Sequence, residues 1–369
     1  MADVVAIDLP GGPEFVDTLR RVWDAGDAAL PLDPRLPVAW RSSLIDALAP
    51  TAIVEADGAR RSLDGRSTED GDAVIIPTSG TTGVPKGVVL THDAIRFSAF
   101  ASMTYLGVDA DVTWLGCLPL HHIGGFSVIS RALVCETGLV VLPSFDAVEV
   151  ELAALAGATH VSLVPTTLRR IDPTLFRRIL LGGSAIPADR PSNSVATYGM
   201  TESGAGVVYD GQPLNGVGLR IDADGGISLS GPTMLRCYRD GTDPLDRDGW
   251  YRTGDVGSVD PATGLLTVTG RADEMIISGG ENVWPGPVER LVEADPKVAE
   301  AAVVGRDDPE WGQVVTVVVV PADPLDPPSL AELRERVKAD LPAWCAPRAM
   351  ELASSLPRTA IGKLRRREI

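Results

Sequence analysis

Ten residues, TSGTTGVPKG at 78–87, bring glycines, four hydroxyl side chains and a lysine into one stretch. Glycine lets a backbone turn tightly and approach a ligand closely. Successive amide N–H groups can then wrap an anion, and the hydroxyls of Thr78, Ser79, Thr81 and Thr82 add donors beside Gly80 and Gly83. Lys86 supplies a compact positive charge. Together these read as a phosphate cradle. The spacing is not the Walker A pattern, because Lys86 lies between Pro85 and Gly87 and does not open a helix through Ser or Thr. An ordinary polar surface loop is the plainer alternative.

Composition narrows the other chemistry. The four cysteines, 117, 135, 237 and 345, are widely spaced and form neither a CxxC pair nor a Cys/His cluster. Neither a zinc site nor a disulfide framework is expected, and a reducing cytoplasm suits them. The net charge of -17 argues against nucleic-acid binding, which needs a basic face. It leaves small anionic ligands open, since a few local cations and amides can hold them. No apolar run reaches the roughly 20 residues of a membrane helix, so no membrane insertion is expected. The N-terminus has no basic segment of the signal-peptide kind. Association into a homo-oligomer stays open.

Short apolar runs bounded by Gly, Pro or Asp mark strands at Ala73–Ile76, Val112–Cys117, Leu139–Leu142, Val161–Val164 and Ile179–Leu181. Helical patterns fall between them, at Asp93–Tyr105, Ser127–Cys135 and Val148–Leu155. This alternation predicts α/β layers with much parallel sheet. From about 215 to 270, glycine-punctuated segments such as GGISLSGP and GLLTVTG predict antiparallel β structure. After 273 the expectation is a small α+β domain, with helices near 286–294 and 329–340 and a strand at 314–321. The chain thus divides into an N-terminal domain, 1–272, of α/β subdomains plus a β-rich section, and a C-terminal domain, 273–369.

The loop does not stand alone. TSGTTGVPKGVVLTH resembles the signature loop of the adenylate-forming superfamily, which includes acyl-CoA synthetases and nonribosomal-peptide adenylation domains. PLHHIGG at 119–125, ILLGGSAIP at 179–187, YGMTE at 198–202, ISLSGPTMLRCY at 227–238, YRTGD at 251–255, GRADEMIISGGENVWP at 270–285 and PRTAIGKLRR at 357–366 follow in the family's order. The resemblance runs from about 73 to the end. It implies ATP, Mg²⁺ and coenzyme A as reactants, an acyl-AMP intermediate, and a C-terminal domain that swings between half-reactions about Asp273. It implies that Thr78–Gly83 and Lys86 hold phosphates, that Gly182, Gly183 and Ser184 line the nucleotide and acyl pocket, and that Tyr198, Gly199 and Thr201 meet the adenosine end. Glu202 would hold the metal, Asp255 and Arg271 the ribose, and Lys363 the α-phosphate and attacking carboxylate. With 77 residues ahead of the loop, where the family usually has well over a hundred, the first subdomain is expected to be shortened. Cys237, His121 and Pro287 also depart from the family's usual residues.

These motifs are generic to adenylation and do not choose the acid. No aspartate near PLHHIGG offers itself to an amino group. Arg131, nine residues after His122, is either a surface cation on a helix or a group aimed at the acyl pocket. An arginine so aimed suits a second carboxylate. The run THVSLVPTTLRRI and the His-to-Arg spacing resemble the superfamily branch that acts on o-succinylbenzoate, an aromatic keto diacid of menaquinone biosynthesis. That resemblance implies Arg131, Gly183 and His122 at the substrate, His122 gating or shaping the pocket; a packed core histidine is the alternative. Another aryl or short-chain acyl-CoA ligase, or an enzyme loading a carrier protein, remains open.

Overall fold

A computed structural model describes residues 1–78, 85–108, 111–358 and 364–369. They form two compact units: Met1–Leu219 with Leu229–Tyr251, and Arg220–Ser228 with Arg252–Ile369.

The first unit holds two seven-stranded sheets. One runs Cys237–Tyr238, Lys86–Thr91, Asp72–Thr78, Ala28–Pro31, Val4–Ile7, Ala52–Val54, Arg60–Ser62. Its central strands are parallel. Val4–Ile7 and Ala73–Ile76 are fully buried, as expected of strands covered on both faces. Asp72–Thr78 turns back antiparallel onto Lys86–Thr91, which sets Thr78 opposite Lys86. The second sheet runs Gln212–Pro213, Ala205–Tyr209, Ser194–Met200, Arg178–Leu181, His160–Leu163, Thr113–Gly116, Gly138–Val141. Its five strands from Gly138–Val141 to Ser194–Met200 are parallel. Parallel neighbours need crossovers, and helices Ile123–Val134 and Ala147–Leu155 belong to them. The direction reverses at Ser194–Met200 and Ala205–Tyr209, around YGMTE.

Four of the five expected middle strands lie in this second sheet, and Ala73–Ile76 lies in the first. The helix expected from Ser127 begins at Ile123. Gly124 and Gly125 are not breakers there. A Cβ on Gly125 would stand 2.3 Å from the Pro119 carbonyl oxygen, so glycine serves close approach inside the first turn.

The second unit contains most of a four-stranded sheet of Gly218–Ile221, Gly226–Ser230, Tyr251–Val259 and Leu266–Arg271, the last two paired antiparallel. A five-stranded sheet follows: Glu281–Val283, Ile276–Ser278, Gly312–Pro321 and Val298–Asp308, with Ala349–Leu352 parallel to Gly312–Pro321. Helices Pro285–Glu293 and Leu330–Asp340 bury Val288, Val292, Leu333 and Val337 against Val303, Val315, Val317 and Val319. Pro285 occupies the first helical turn, so Pro287 follows inside a helix already entered through proline. The result is the mixed α/β fold expected, with a smaller α+β C-terminal part.

Candidate active site

The hairpin register places Thr78 and Lys86 face to face, and the Thr78 hydroxyl donates to the Lys86 carbonyl at 3.3 Å. A β-ladder thus joins the two described ends of this stretch. Ser79, Gly80, Thr81, Thr82 and Gly83 lie outside the described residues, as does Lys363.

Glu202 sits on a tight 3₁₀ turn, Thr201–Ser203. Ser203 is fully buried. Its Oγ donates toward the Met200 and Ala205 carbonyls and accepts from the Met200 N–H at 2.9 Å. Gly204 closes the turn at φ 72°, and a Cβ there would press on the Thr233 carbonyl oxygen at 2.9 Å. The Glu202 carbonyl accepts from the Leu235 N–H at 2.8 Å. With its backbone fixed this way, Glu202 presents a half-buried carboxylate that accepts from the Tyr238 hydroxyl at 3.0 Å. The Tyr251 hydroxyl lies 3.4 Å from that of Tyr238, and the Lys86 ammonium sits 4.9 Å above the Tyr238 ring. Burial pushes the Tyr238 phenol up to about 12, and burial and then the Glu202 charge raise that of Tyr251. Both are neutral donors at ordinary pH. Among the described residues no three His, Cys, Asp or Glu side chains converge as a ligand set. A hard cation at Glu202 would take its other oxygens from phosphates and water, the usual way Mg²⁺ is held on a nucleotide. The residues therefore fit Mg²⁺.

Tyr198 and Gly199 lie just before this turn, where the strand register shifts by a bulge. A Cβ on Gly199 would stand 2.0 Å from the Ala205 carbonyl oxygen, so only glycine fits. Gly182, Gly183 and Ser184 follow the neighbouring strand, Arg178–Leu181. Gly182 packs on Thr197, where a Cβ would meet Oγ1 at 2.4 Å, while Gly183 takes φ 82° and, with Ser184, is exposed.

His122 is the residue just before helix Ile123–Val134, its ring 4.2 Å from that of His121 between centroids. Burial, reinforced by the neighbouring His121, pushes its pKa down to about 4, so it is neutral at neutral pH. Arg131, in the last turn of the same helix, is only 3% exposed and is no surface cation. Its guanidinium stacks on Trp114, 4.6 Å from the ring centroid. Its Nε and Nη1 have no hydrogen-bond partner among the described residues. Arg131 lines a small cavity of about 10 Å³ with Ser98, Phe126, Ser127, Ser130 and Gly204, two residues from Glu202.

In the second unit, Asp255 and Arg271 are opposed across an antiparallel pair. Arg271 Nη1 donates to the Asp255 carboxylate at 3.3 Å and to the Thr253 carbonyl at 3.1 Å, and its Nε donates to Asp273 at 3.2 Å. One arginine thus joins the YRTGD and GRADE motifs.

The model of the AMP-binding enzyme family matches residues 62–226, and that of the AMP-binding enzyme C-terminal domain matches residues 287–363. A probable 2-succinylbenzoate–CoA ligase of Mycobacterium tuberculosis is 38% identical over 82% of this chain and 85% of its own. The chain belongs to the AMP-binding enzyme family. A 2-succinylbenzoate–CoA ligase of Bacillus cytotoxicus is 34% identical over 80% of this chain and 69% of its own. Among solved structures, the Bacillus subtilis o-succinylbenzoate CoA synthetase in complex with its acyl-adenylate intermediate is similar at a TM-score of 0.87. It is 28% identical, over 99% of this chain and 87% of that one.

For this AMP-binding enzyme the structure brings Lys86, Glu202 and their tyrosines together in one unit, and Asp255, Arg271 and Asp273 in the other. Tyr238, Tyr251 and Trp114 were not singled out from the sequence. The two tyrosines stand inside quoted motifs, but only the folded register turns their hydroxyls onto Glu202. Trp114 lies in an apolar strand and carries no sequence signal of its stacking on Arg131.

Proposed function

We propose that this chain is an ATP-dependent acid–CoA ligase that converts 2-succinylbenzoate to its CoA thioester. The carboxylate oxygen attacks the α-phosphorus of ATP and pyrophosphate leaves, giving acyl-AMP. The thiol of coenzyme A then attacks the acyl carbon and AMP leaves. A place in menaquinone biosynthesis follows, with the cytoplasm, where ATP and coenzyme A are found, as the compartment. The relatives named for 2-succinylbenzoate support this acid.

Residues of the first unit carry the nucleotide chemistry. Thr78, Lys86 and the loop 79–83 hold the terminal phosphates, Tyr198 and Gly199 border the adenine, and Gly182–Ser184 line the nucleotide and acyl pocket. Glu202 is the carboxylate for Mg²⁺, which when bound neutralises phosphate charge. In the second unit, Asp255 accepts from the ribose hydroxyls with Arg271 fixing its orientation. Lys363 meets the α-phosphate and the incoming carboxylate, offsetting repulsion between two anions. The swing between half-reactions turns at Asp273, the boundary between 1–272 and 273–369. The acid is already ionised at neutral pH and needs no general base. His122, neutral and a weak base at a pKa of about 4, shapes the acyl pocket and does not take a proton.

The observation that carries the choice of acid is Arg131. A buried guanidinium without an acidic partner is costly unless an anion completes it. The second carboxylate of 2-succinylbenzoate is such an anion, and Arg131 binds planar carboxylates through paired N–H groups. The cavity beside it has room for about one water, so a bound carboxylate requires the packing around helix Ile123–Val134 to open. The test is pyrophosphate release with ATP and Mg²⁺ over 2-succinylbenzoate, benzoate, acetate, a medium-chain fatty acid and several amino acids, each with and without coenzyme A. Strong preference for 2-succinylbenzoate with a CoA thioester formed is expected. Preference for a monoacid would keep the ligase and discard the diacid.

A further inference from the structure

We infer that Tyr238 is a positioning residue for adenylation: its hydroxyl fixes the Glu202 carboxylate while its ring seats the Lys86 ammonium. One side chain thereby sets the spacing between the metal carboxylate and the phosphate-loop cation. The inference rests on the reading of Glu202 as the Mg²⁺ ligand.

Tyr238 is held by a bracket built around it. The two-residue strand Cys237–Tyr238 pairs antiparallel with Lys86–Thr91, with Tyr238 opposite Val88. Side chains diagonal to an opposed pair are within reach of an aromatic ring, and Lys86 is two residues from Val88. On one side, Arg236 grips the buried Asp72 with Nε at 2.8 Å and Nη2 at 2.7 Å, and Nη1 reaches Glu69 at 2.7 Å. On the other, the buried Arg239 donates to the carbonyls of Leu48 at 2.9 Å, Ser67 at 3.0 Å and Ala49 at 3.1 Å. The Arg239 N–H also closes onto the Gly87 carbonyl at 2.7 Å. Both flanking residues are thus tied to the sheet that holds strands Asp72–Thr78 and Lys86–Thr91. A tyrosine on so rigid a mount holds its hydroxyl still. Tyr238 has one proton and gives it to Glu202, leaving its oxygen to accept from Tyr251. Partners that orient a metal-binding carboxylate act on metal affinity without touching the metal.

The experiment compares Tyr238→Phe, Tyr238→Leu and Glu202→Gln in the full chain, each checked for a parent-like melting curve. Two bindings are measured: Mn²⁺ to the enzyme saturated with α,β-methylene-ATP, from the loss of its free paramagnetic resonance signal, and the same analogue in EDTA. Tyr238→Phe, which keeps the ring, is expected to weaken Mn²⁺ by about tenfold and to leave metal-free nucleotide affinity unchanged. Tyr238→Leu is expected to weaken Mn²⁺ equally and nucleotide by about two- to fivefold, the size of a lost exposed cation–π contact. Parent-like Mn²⁺ affinity in Tyr238→Phe, with Glu202→Gln impaired, overturns the positioning role alone. So does a Leu variant matching Phe in EDTA. Parent-like Mn²⁺ affinity in Glu202→Gln overturns the reading of Glu202, and the inference with it.

Discussion

The guanidinium of Arg131 lies over the indole of Trp114 at 4.6 Å from its centroid, and both side chains are withdrawn from solvent. Stacking satisfies the face of the guanidinium but not its edge, where Nε and Nη1 remain unpartnered among the described residues. Arg131→Ala is expected to lower kcat/KM for 2-succinylbenzoate by roughly 10- to 100-fold, the worth of a charge-assisted hydrogen bond. A monocarboxylic acid that the parent adenylates should lose no more than about twofold. Arg131→Lys should not rescue the diacid, because a lysine lacks the planar fork and stacks poorly. Pyrophosphate release with both acids decides: equal losses would reduce Arg131 to packing.

Lys363→Ala separates the two half-reactions. Adenylation should fall by about 10²-fold or more, since a cation at developing phosphate charge is lost. Thioester formation from supplied acyl-AMP and coenzyme A should stay within a few-fold, because the proposed function gives Lys363 no part in thiol attack. A parallel collapse of both steps would mean that the lysine supports the fold or a shared state of the site.

The elements that were legible in the sequence are those whose burial leaves a continuous apolar run. Ala73–Ile76 and Ile179–Leu181 are buried throughout and read directly. Val298–Asp308, the long partner of Gly312–Pro321, begins VAEAAVV, which alternates weakly and is rich in alanine, and only its ten-residue pairing makes it a strand. Nothing before residue 73 was placed, yet Val4–Ile7 is paired on both sides inside the first sheet. At four residues it is too short for periodicity to speak. Among the described candidate residues, Glu202 and Asp255 came with their motifs. The contacts of Tyr238 and Arg131 did not, because each depends on register across strands or on which face of a helix turns inward.

Within the second unit, Arg366 is bound to Glu289 through both terminal nitrogens, Nη2 donating at 3.0 Å, and its Nε donates to Glu274 at 3.1 Å. Glu289 in turn accepts from the Val303 N–H at 2.7 Å. The pair is largely buried, at 17% and 14% side-chain exposure. Removing one partner strands a charge, so Arg366→Ala should cost about 3 kcal/mol. Arg366→Met with Glu289→Leu should recover part of that loss, since the buried Glu289 charge goes with its partner and only the more exposed Glu274 carboxylate loses one. Urea midpoints at constant slope give both numbers. A single variant as stable as the parent would show that the pair is solvated in solution.

Acid should destabilise the protein through its histidines before its carboxylates titrate. All four histidines, His92, His121, His122 and His160, have pKa values pushed down, with burial the leading cause in each, and His122 and His160 reach about 4. For His160, the nearby charges of Arg177, Arg178 and Arg131 add to the burial. In the unfolded chain a histidine titrates near 6.5. Between that value and the folded one the unfolded state binds protons that the folded state refuses, so stability rises with pH across this window. It is fully present above about 6.5 and is lost as pH falls toward 4, by at most about 1.4 kcal/mol per pH unit for each such histidine. Melting temperatures taken from pH 8 to 5, above the main carboxylate range, should be level down to about 7 and then decline. His160→Asn, which keeps a polar partner for Thr159 Oγ1 at the 2.9 Å contact, should flatten the decline while leaving the level region displaced by a constant. A decline of unchanged slope in that variant would show that His160 is protonated in the folded protein, and would reassign the acid sensitivity to the remaining three.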